Sequence, residues 1–486
     1  MHEVVIIGAG ISGLSCARHL APYKDHLNVT VLEASNRIGG RIKTITTNDG
    51  TVLDFGAQFI HGTCGNPLYD FALEKNLITE DKTHHFKKYS QVVQCFPTEM
   101  ESLYPRRDEL VKDVQKAESW VEHFVSQMYQ LREVDGDLPH SNVGEFMRSL
   151  LDKQLTKCAD DARYCCVLKS VFMHWSHYEN VASGCRSVFR LDLRGFLSYV
   201  ELEGDSLFEM CTLCERGYEA VVDELSADIP PDCVKLNSRV KGIDKFSPSG
   251  GLEKLKVSCD DGATYYADTV VVTVSVGVLK DFILNETFQC DLPNDKLLAI
   301  KNLHLANVVK VFFKFETPIA SEITYYSFFQ PPKTFNTDTA FECRCPMLER
   351  IGASDWWLLW AICDDTTFEA RDNMTTEEWL NDILASCAAT YSNFSRDKCD
   401  PDNIIVVDWM RDENYRGAYS YLKTGANEED IARLALPVTW DERGGVALLF
   451  AGEATSEKFF STTHGAYESG VREAERIVDM CGFRVK

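Results

Sequence analysis

The most informative hydrophobic pattern lies at the start of the chain. A continuous apolar run at residues 4–7 predicts a strand buried on both faces, and residues 11–20 have the pattern of a helix. A second run of strand type covers residues 27–32. Two strands joined by one helix form a βαβ unit with parallel strands, so the chain is expected to begin with a doubly wound α/β domain.

The loop between the first strand and the helix carries three glycines, Gly8-x-Gly10-x-x-Gly13. Gly8 allows a tight turn, Gly10 lets the backbone approach a pyrophosphate, and Gly13 lets the helix pack closely on the strand. Glu33 follows the second strand, where a carboxylate can accept hydrogen bonds from ribose hydroxyls and disfavours the 2′-phosphate of NADP. The combination favours a dinucleotide site over an ordinary strand-to-helix turn.

A second region, from about residue 102 to residue 179, is predicted to be mostly helical, with one break at residues 136–140. Apolar residues near helical spacing are expected to form a core face there: Leu110, Val114, Trp120, Phe124, Met128 and Leu131. Further strand patterns follow at residues 234–240, 268–274, 306–315 and 356–360.

Length and charge narrow the class of protein. A chain of 486 residues is too long for one simple core and suggests two or three lobes. The formal net charge of −24 argues against nucleic acid or an anionic membrane as a partner, and it suits a cationic ligand.

The cysteines and the chain ends bear on the compartment. Eighteen cysteines with no secretory signal before the first strand are interpreted as reduced thiols. Neither Cys211-x-x-Cys214 nor Cys343-x-Cys345 has a second ligand pair at zinc spacing, so no metal site is expected. The last residues carry no peroxisomal Ser-Lys-Leu ending and no apolar anchor, so a cytoplasmic location is expected.

The stretch after Glu33 narrows the choice of cofactor. Residues 34–41, Ala-Ser-Asn-Arg-Ile-Gly-Gly-Arg, resemble the Arg-x-Gly-Gly-Arg stretch of the flavin amine oxidase superfamily, which binds FAD rather than NAD. Later stretches resemble the polyamine oxidases of animals in family order. They are Gly56-Ala57-Gln58-Phe59-Ile60-His61-Gly62, the spacing of Glu179 and Ser183, the strand around Lys310, Arg416-Gly417-Ala418-Tyr419-Ser420, and Gly452-Glu453 followed by Ser461-Thr462-Thr463-His464-Gly465-Ala466.

The resemblance implies the flavin amine oxidase fold: α/β, with a Rossmann-like FAD-binding domain and an α+β substrate domain that combines a mixed sheet with a helical lobe. The FAD-binding domain is expected at residues 1–75, 215–285 and 430–486, and the substrate domain at 76–214 and 286–429. FAD should be non-covalent, because residues 409–421 lack the cysteine that monoamine oxidases bond to flavin. The residues expected to contact FAD are Gly8, Gly10, Ser12, Gly13, Glu33, Arg41, Ala57, Gln58, Val240, Glu453 and Thr463.

The resemblance also implies the chemistry. A polyamine such as spermine, spermidine or an N1-acetylated form would lose hydride to flavin N5, and O2 would reoxidise the flavin. The products would be an aldehyde, a shorter amine and hydrogen peroxide. The catalytic candidates are Lys310, which would hold a water beside N5, and His61, which would bond a substrate nitrogen. The residues expected to contact substrate are His61, Glu179, Ser183, Tyr419, Ser461 and Thr462.

Alternatives remain open. The strand pattern alone favours a solvated Lys310, and helix capping alone accounts for the hydroxyls at 461–463. The chain departs from the family pattern at Phe59, Ser198, Ser275 and residues 360–363. Another flavin amine oxidase, such as an L-amino-acid oxidase or a lysine demethylase, or a non-catalytic FAD-binding protein, would share the cofactor motifs. The polyamine and the oligomeric state are left open.

Overall fold

The first strand and helix lie where the hydrophobic pattern predicts them, at His2–Ile7 and Ile11–Leu20. A Cβ on Gly13 would come 2.0 Å from the carbonyl oxygen of Gly8, so the close packing of helix on strand requires glycine. The computed structural model describes residues 1–78, 91–204, 208–209, 216–248, 253–306, 308–317, 323–329, 347–352, 354–362, 378, 381, 398–440 and 446–483. The two cysteine pairs considered for zinc lie outside these residues.

The helices concentrate in the middle of the chain and at its two ends. They are α1 (Ile11–Leu20), α2 (Pro67–Glu74), α3 (Thr98–Glu101), α4 (Arg107–Tyr129), α5 (Val143–Lys157), α6 (Ala162–Ser183), α7 (Leu193–Ser198), α8 (Glu219–Ser226), α9 (Val276–Leu284), α10 (Asn294–Asn302), α11 (Glu428–Ala435) and α12 (Thr463–Met480). In the part of the chain that the structure describes, none of them is both long and apolar enough to cross a membrane.

The strands form two large sheets and several short ribbons. They are β1 (His2–Ile7), β2 (Leu27–Leu32), β3 (Thr44–Thr46), β4 (Val52–Asp54), β5 (Phe59–Ile60), β6 (Gln91–Cys95), β7 (Phe208–Glu209), β8 (Val234–Lys235), β9 (Val240–Phe246), β10 (Lys254–Cys259), β11 (Thr264–Ala267), β12 (Thr269–Val272), β13 (His304–Leu305), β14 (Val308–Phe315), β15 (Ile323–Phe328), β16 (Met347–Arg350), β17 (Trp356–Ile362), β18 (Cys399–Asp408), β19 (Ser420–Tyr421), β20 (Val438–Thr439) and β21 (Ala447–Phe450).

The first large sheet has the strand order β20-β21-β12-β1-β2-β8, and all its pairs are parallel except β20 with β21. Ile7 at the end of β1 lies between Leu32 and Val272. One face of the sheet packs on α1 and α12 through an apolar cluster, and the other face packs on the β9–β11 sheet and α9 through a second cluster. The expected Rossmann-like domain is therefore present.

The second large sheet has the order β18-β14-β17-β16-β15-β6. It is mixed, because β15 pairs with β6 in parallel and its other pairs are antiparallel. Helices α3 to α7 form a lobe with an apolar core of its own. The predicted fold class is confirmed. The strands of each large sheet come from the segments expected for one domain, although the domain boundaries themselves stay a prediction.

The helical lobe corrects two details of the sequence interpretation. The expected break near residue 138 lies between Glu133 and Val143, but a second break at residues 158–161 was not predicted. Of the expected core face, Trp120 and Leu131 are half-exposed, and Ala117 and Val121 are buried instead. The buried positions of α4 follow a regular spacing of three and four residues that includes Ala117 and Val121 and passes over Trp120, and Leu131 lies in the turn after the helix ends at Tyr129.

Candidate active site

Two glycine turns face each other at the carboxyl end of β1. Gly39 donates its N–H to the Ala9 carbonyl at 2.8 Å, which sets residues 39–40 beside the first turn. Gly10 begins α1 without a side-chain cap, and a Cβ built on it would meet only the Gly40 Cα, at 3.8 Å. Uncapped N–H groups at a helix start with open space beside them fit the pyrophosphate of FAD.

Glu33 lies at the end of β2 and is 5% exposed. Its Oε2 accepts the Ala9 N–H at 2.7 Å, and its Oε1 accepts from the N–H and hydroxyl of Ser35 at 2.9 and 2.7 Å. A carboxylate has about four lone-pair sites, so these bonds leave acceptor capacity for ribose hydroxyls. Glu33 therefore braces the first glycine turn in addition to its expected contact with the cofactor.

Arg41 and Glu453 form an ion pair at the centre of the expected flavin site. Arg41 Nη1 donates to Glu453 Oε1 at 2.9 Å and to the Ala418 carbonyl at 2.7 Å. Glu453 Oε2 accepts from the N–H and hydroxyl of Ser420 and from the Ser461 N–H at 3.0 Å. A small cavity is lined by both members of the pair. The structure thus joins two residues that were expected to contact different parts of FAD.

The start of α12 confirms the capping interpretation for Thr462 alone among the hydroxyls at 461–463. Thr462 is the N-cap: its hydroxyl accepts the Gly465 N–H at 3.0 Å and donates to the Phe459 carbonyl at 2.7 Å. Ser461 has a left-handed φ of 68°, and its hydroxyl donates to the Ser420 carbonyl. The Thr463 hydroxyl bonds the Tyr218 hydroxyl at 2.6 Å. The contacts of these hydroxyls with substrate or flavin stay predictions.

The remaining residues expected at FAD lie in the same region of the fold. The Ser12 hydroxyl is 3.2 Å from that of Ser469, which joins α1 to α12. Ala57 donates its N–H to the Arg41 carbonyl at 3.2 Å. Val240 is buried at the start of β9. The two glycine turns, the uncapped start of α1 and the carboxylates of Glu33 and Glu453 together supply hydrogen-bond donors and acceptors that fit FAD.

Lys310 is buried, so the solvated alternative is wrong, and the water that it would hold beside flavin N5 stays a prediction. Its ammonium donates to the carbonyls of Asp54 at 2.9 Å and Gly56 at 2.7 Å, and to Gln58 Oε1. The same nitrogen lies 4.5 Å from the centroid of Trp360, its partner on β17. Lys310 therefore fixes the turn that leads to His61.

Two histidines lie near this turn, of which His464 is buried and His61 is half-buried. Burial lowers the pKa of His61, whose ring contacts Phe59 edge-on at 6.2 Å. Burial and then the charge of His61 lower the pKa of His464 to about 4, so both rings are neutral at pH 7. Within the described residues, neither ring nitrogen of His464 has a hydrogen-bond partner. Sequence reasoning missed His464, although it is part of the Ser-Thr-Thr-His-Gly-Ala stretch.

The last turn of α6 presents Glu179 and Ser183, and the Ser183 hydroxyl donates to Glu179 Oε1 at 2.5 Å. Burial raises the pKa of Glu179 and the Glu201 charge raises it further, while the Ser183 bond lowers it. Ser198, which stands where the family has glutamate, donates to the Gly195 carbonyl instead. Glu201, three residues later, is exposed, and its charge acts on Glu179; sequence reasoning missed it.

Aromatic rings connect these groups. Phe59 stacks on Trp360 with 6.3 Å between ring centroids and 17° between planes. The Tyr419 hydroxyl donates to the Val181 carbonyl at 2.7 Å, two residues after Glu179. One apolar cluster contains Phe59, Val181, Trp360 and Tyr419. The structure therefore brings the predicted residues of four separate segments together around one set of rings.

Comparison with known proteins decides the family. The family described as Flavin containing amine oxidoreductase matches residues 11–478 of this chain. The chain belongs to this family. The protein is accordingly an amine oxidase with FAD as its cofactor, and its substrates are a small-molecule amine and O2.

Relatives cover the whole chain at low identity. The peroxisomal N(1)-acetyl-spermine/spermidine oxidase of Bos taurus is 27% identical over 98% of this chain and 95% of its own. Probable polyamine oxidase 5 of Arabidopsis thaliana is 25% identical, with 99% of each chain covered. A solved structure of a putrescine oxidase double mutant matches with a TM-score of 0.63 over 98% of this chain and 99% of its own, at 19% identity. This structural similarity shows the fold.

Proposed function

We propose that this amine oxidase acts on a polyamine: spermine, spermidine or an N1-acetylated form. The observation that carries the proposal is the carboxylate of Glu179, whose pKa burial raises. Among the described residues it has no ion-pair partner, and the nearby charge of Glu201 repels it. A half-buried carboxylate that feels the charge of a second one is stabilised by a cation, and a polyamine supplies cationic nitrogens along an apolar chain.

The aromatic cluster suits the methylene segments between those nitrogens. Phe59 and Trp360 offer parallel ring faces, and Tyr419 is held by its bond to Val181. Ring faces attract ammonium groups and pack against methylenes. A monoamine would use the rings but would leave Glu179 without a cation.

The reacting nitrogen has to lose its proton before its neighbouring carbon can lose hydride. An apolar, aromatic surrounding lowers the pKa of an amine by desolvating its charged form. A neutral His61, whose pKa burial lowers, can accept a hydrogen bond from the substrate nitrogen and orient it. His61 thereby acts as a positioning group that accepts a hydrogen bond in the proposed mechanism.

FAD, which the two glycine turns and Glu33 would hold, would supply the redox chemistry: oxidation of the amine and transfer of its electrons to O2, which gives hydrogen peroxide. Lys310 keeps the 54–58 turn in place, because its three N–H donors are engaged by the Asp54 and Gly56 carbonyls and by Gln58 Oε1. The water expected beside flavin N5 would replace one of these acceptors. Water then hydrolyses the iminium product to an aldehyde and a shorter amine. We further propose non-covalent FAD and a cytoplasmic location.

The test is flavin reduction without oxygen. Purified yellow holoprotein is mixed anaerobically with spermine, N1-acetylspermine, spermidine, a monoamine or an L-amino acid, and the visible flavin absorbance is followed. Rapid bleaching by a polyamine is the expected result. Bleaching by the monoamine or the amino acid alone would assign the enzyme to another amine. No bleaching by any amine, with FAD bound, would contradict the proposal and favour a non-catalytic protein.

A further inference from the structure

Two cysteines face each other in the turn between α5 and α6. Cys158 follows the last residue of α5, and Cys165 lies in the first turns of α6. Their sulfur atoms are 3.4 Å apart, and both residues are free thiols. A disulfide has a sulfur separation of about 2.05 Å, so a shift of little more than an ångström would bond them.

Local hydrogen bonds hold the two sulfurs in this arrangement. Cys158 Sγ donates to the Gln154 carbonyl at 3.1 Å, and Cys165 Sγ donates to the Cys158 carbonyl at 3.2 Å. Asp161 closes the turn, since its N–H donates to the same Cys158 carbonyl and its side chain caps α6. The contact is therefore a property of a fixed turn and not of two mobile side chains.

The pair is also accessible to a small oxidant. Both cysteines are half-buried, and the turn residues between them, 159–162, are exposed. Cys16, Cys185, Cys259 and Cys290 are buried. Cys64 is exposed, but no second sulfur lies near it among the described residues.

We propose that Cys158 and Cys165 are an oxidation site that hydrogen peroxide converts to a disulfide. One sulfur attacks a peroxide oxygen and the O–O bond breaks. This step gives a sulfenic acid and releases one water. The other sulfur then attacks the sulfenic sulfur, the S–O bond breaks, and a second water leaves. Two thiols and one peroxide thus give one disulfide and two waters, and the peroxide is the product that this class of oxidase makes from O2.

At neutral pH the Cys165 sulfur is a thiol, which reacts with peroxide more slowly than a thiolate does. Burial, and then the contact with Cys158, raise the pKa of Cys165 to about 11, so its thiol form predominates at neutral pH. The bond would join the end of α5 to the start of α6, the helix whose last turn carries Glu179 and Ser183. Peroxide would in this way crosslink the helix that carries Glu179, the residue expected to bind substrate.

The experiment adds peroxide directly to the holoprotein, so its result does not depend on which amine the enzyme oxidises. After free thiols are blocked, intact mass and peptide mapping are measured for the wild type and for the variants Cys158→Ser, Cys165→Ser and Cys166→Ser. Cys166 is the matched control, because it is half-buried and adjacent but makes no sulfur contact with the pair.

We expect the wild type and Cys166→Ser to lose two hydrogens and to yield one peptide linking 158 to 165. Neither other variant should yield it. Separate sulfinic acids on the two cysteines without a link, or a link that persists in Cys158→Ser, would overturn the proposal. The proposal would also be overturned if Cys158 and Cys165 both remained thiols after the exposed Cys64 had been fully oxidised.

Discussion

The guanidinium of Arg41 lies 2.9 Å from the carboxylate of Glu453, although 412 positions separate the two residues. Arg41 follows the second glycine turn, and Glu453 follows strand β21 of the same sheet. Glu453 also accepts hydrogen bonds from Ser420 and Ser461, which lie in the segments expected to contact substrate. The pair therefore connects the cofactor side of the site to the substrate side.

Glu453→Gln should weaken both FAD binding and folding. The amide nitrogen that replaces one oxygen would meet donors at Arg41, Ser420 or Ser461, and Arg41 would lose its counter-charge. Breaking a buried ion pair costs about 3 kcal/mol or more. Thermal unfolding and FAD titration of the apoprotein measure the two effects. Exposed Glu457→Gln is the control, and equal behaviour of the two variants would contradict a role for the pair.

Lys310→Met should slow flavin reduction by amine roughly 100-fold while FAD stays bound, because the side chain loses its ammonium beside Trp360. Stopped-flow reduction under anaerobic conditions measures the rate. Lys314→Met is the matched control: Lys314 lies on the same strand and pairs with Asp49 instead. Equal slowing in both variants, or loss of FAD from Lys310→Met alone, would show that Lys310 acts through structure and not through chemistry.

The parts of the fold that the sequence predicted well are those that short segments determine. The strand, glycine turn and helix at the N-terminus depend on contacts within a few residues, such as Gly13 against Gly8. The start of α12 likewise depends on one threonine cap at residue 462. Lys310 is different: its burial is visible only by resemblance to a family, since its three oxygen partners lie more than 250 positions away.

The features that the sequence could not predict depend on the assembled fold. Ser275 departs from the family pattern, yet it caps α9 through Val278 and donates to the Tyr415 carbonyl, 140 positions away. Glu201 matters because it lies near Glu179, and His464 because it lies near His61. No pattern of spacing records such neighbours, because each pair joins separate elements.

Gly10→Ala and Gly13→Ala should separate cofactor binding from folding. Gly10 has an ordinary φ of −74°, and a Cβ there would have only the Gly40 Cα as a neighbour, at 3.8 Å, so the protein should fold. That Cβ would occupy the approach of the pyrophosphate, and the Kd for FAD should rise at least roughly tenfold, about 1.4 kcal/mol.

In Gly13→Ala the Cβ would lie 2.0 Å from the Gly8 oxygen, so this variant should unfold at lower temperature even without FAD. Circular dichroism melts of apoproteins and FAD titrations measure the two properties. Normal FAD affinity in Gly10→Ala would rule out this turn as the pyrophosphate site.

Glu179→Gln should remove the acidic limb of the pH profile for a polyamine. Because burial raises the pKa of Glu179, its carboxylate forms only at a higher pH than an ordinary glutamate requires. Binding of a cationic substrate should therefore strengthen as pH rises through that pKa. A neutral amide has no such step. At pH values above the pKa of Glu179, kcat/KM of the variant should be lower than that of the wild type roughly tenfold or more, as expected for the loss of a charge-assisted hydrogen bond of about 1.5–3 kcal/mol.

Ser183→Ala supplies the companion variant for this profile. The Ser183 hydroxyl stabilises the charged form of Glu179 and lowers its pKa, so its loss should move the acidic limb to higher pH without abolishing it. Steady-state kcat/KM with a polyamine is measured for both variants between pH 5 and pH 9, with a monoamine as the comparison substrate. An unchanged limb in Glu179→Gln would assign it to another group, such as His61, whose pKa burial moves in the opposite direction.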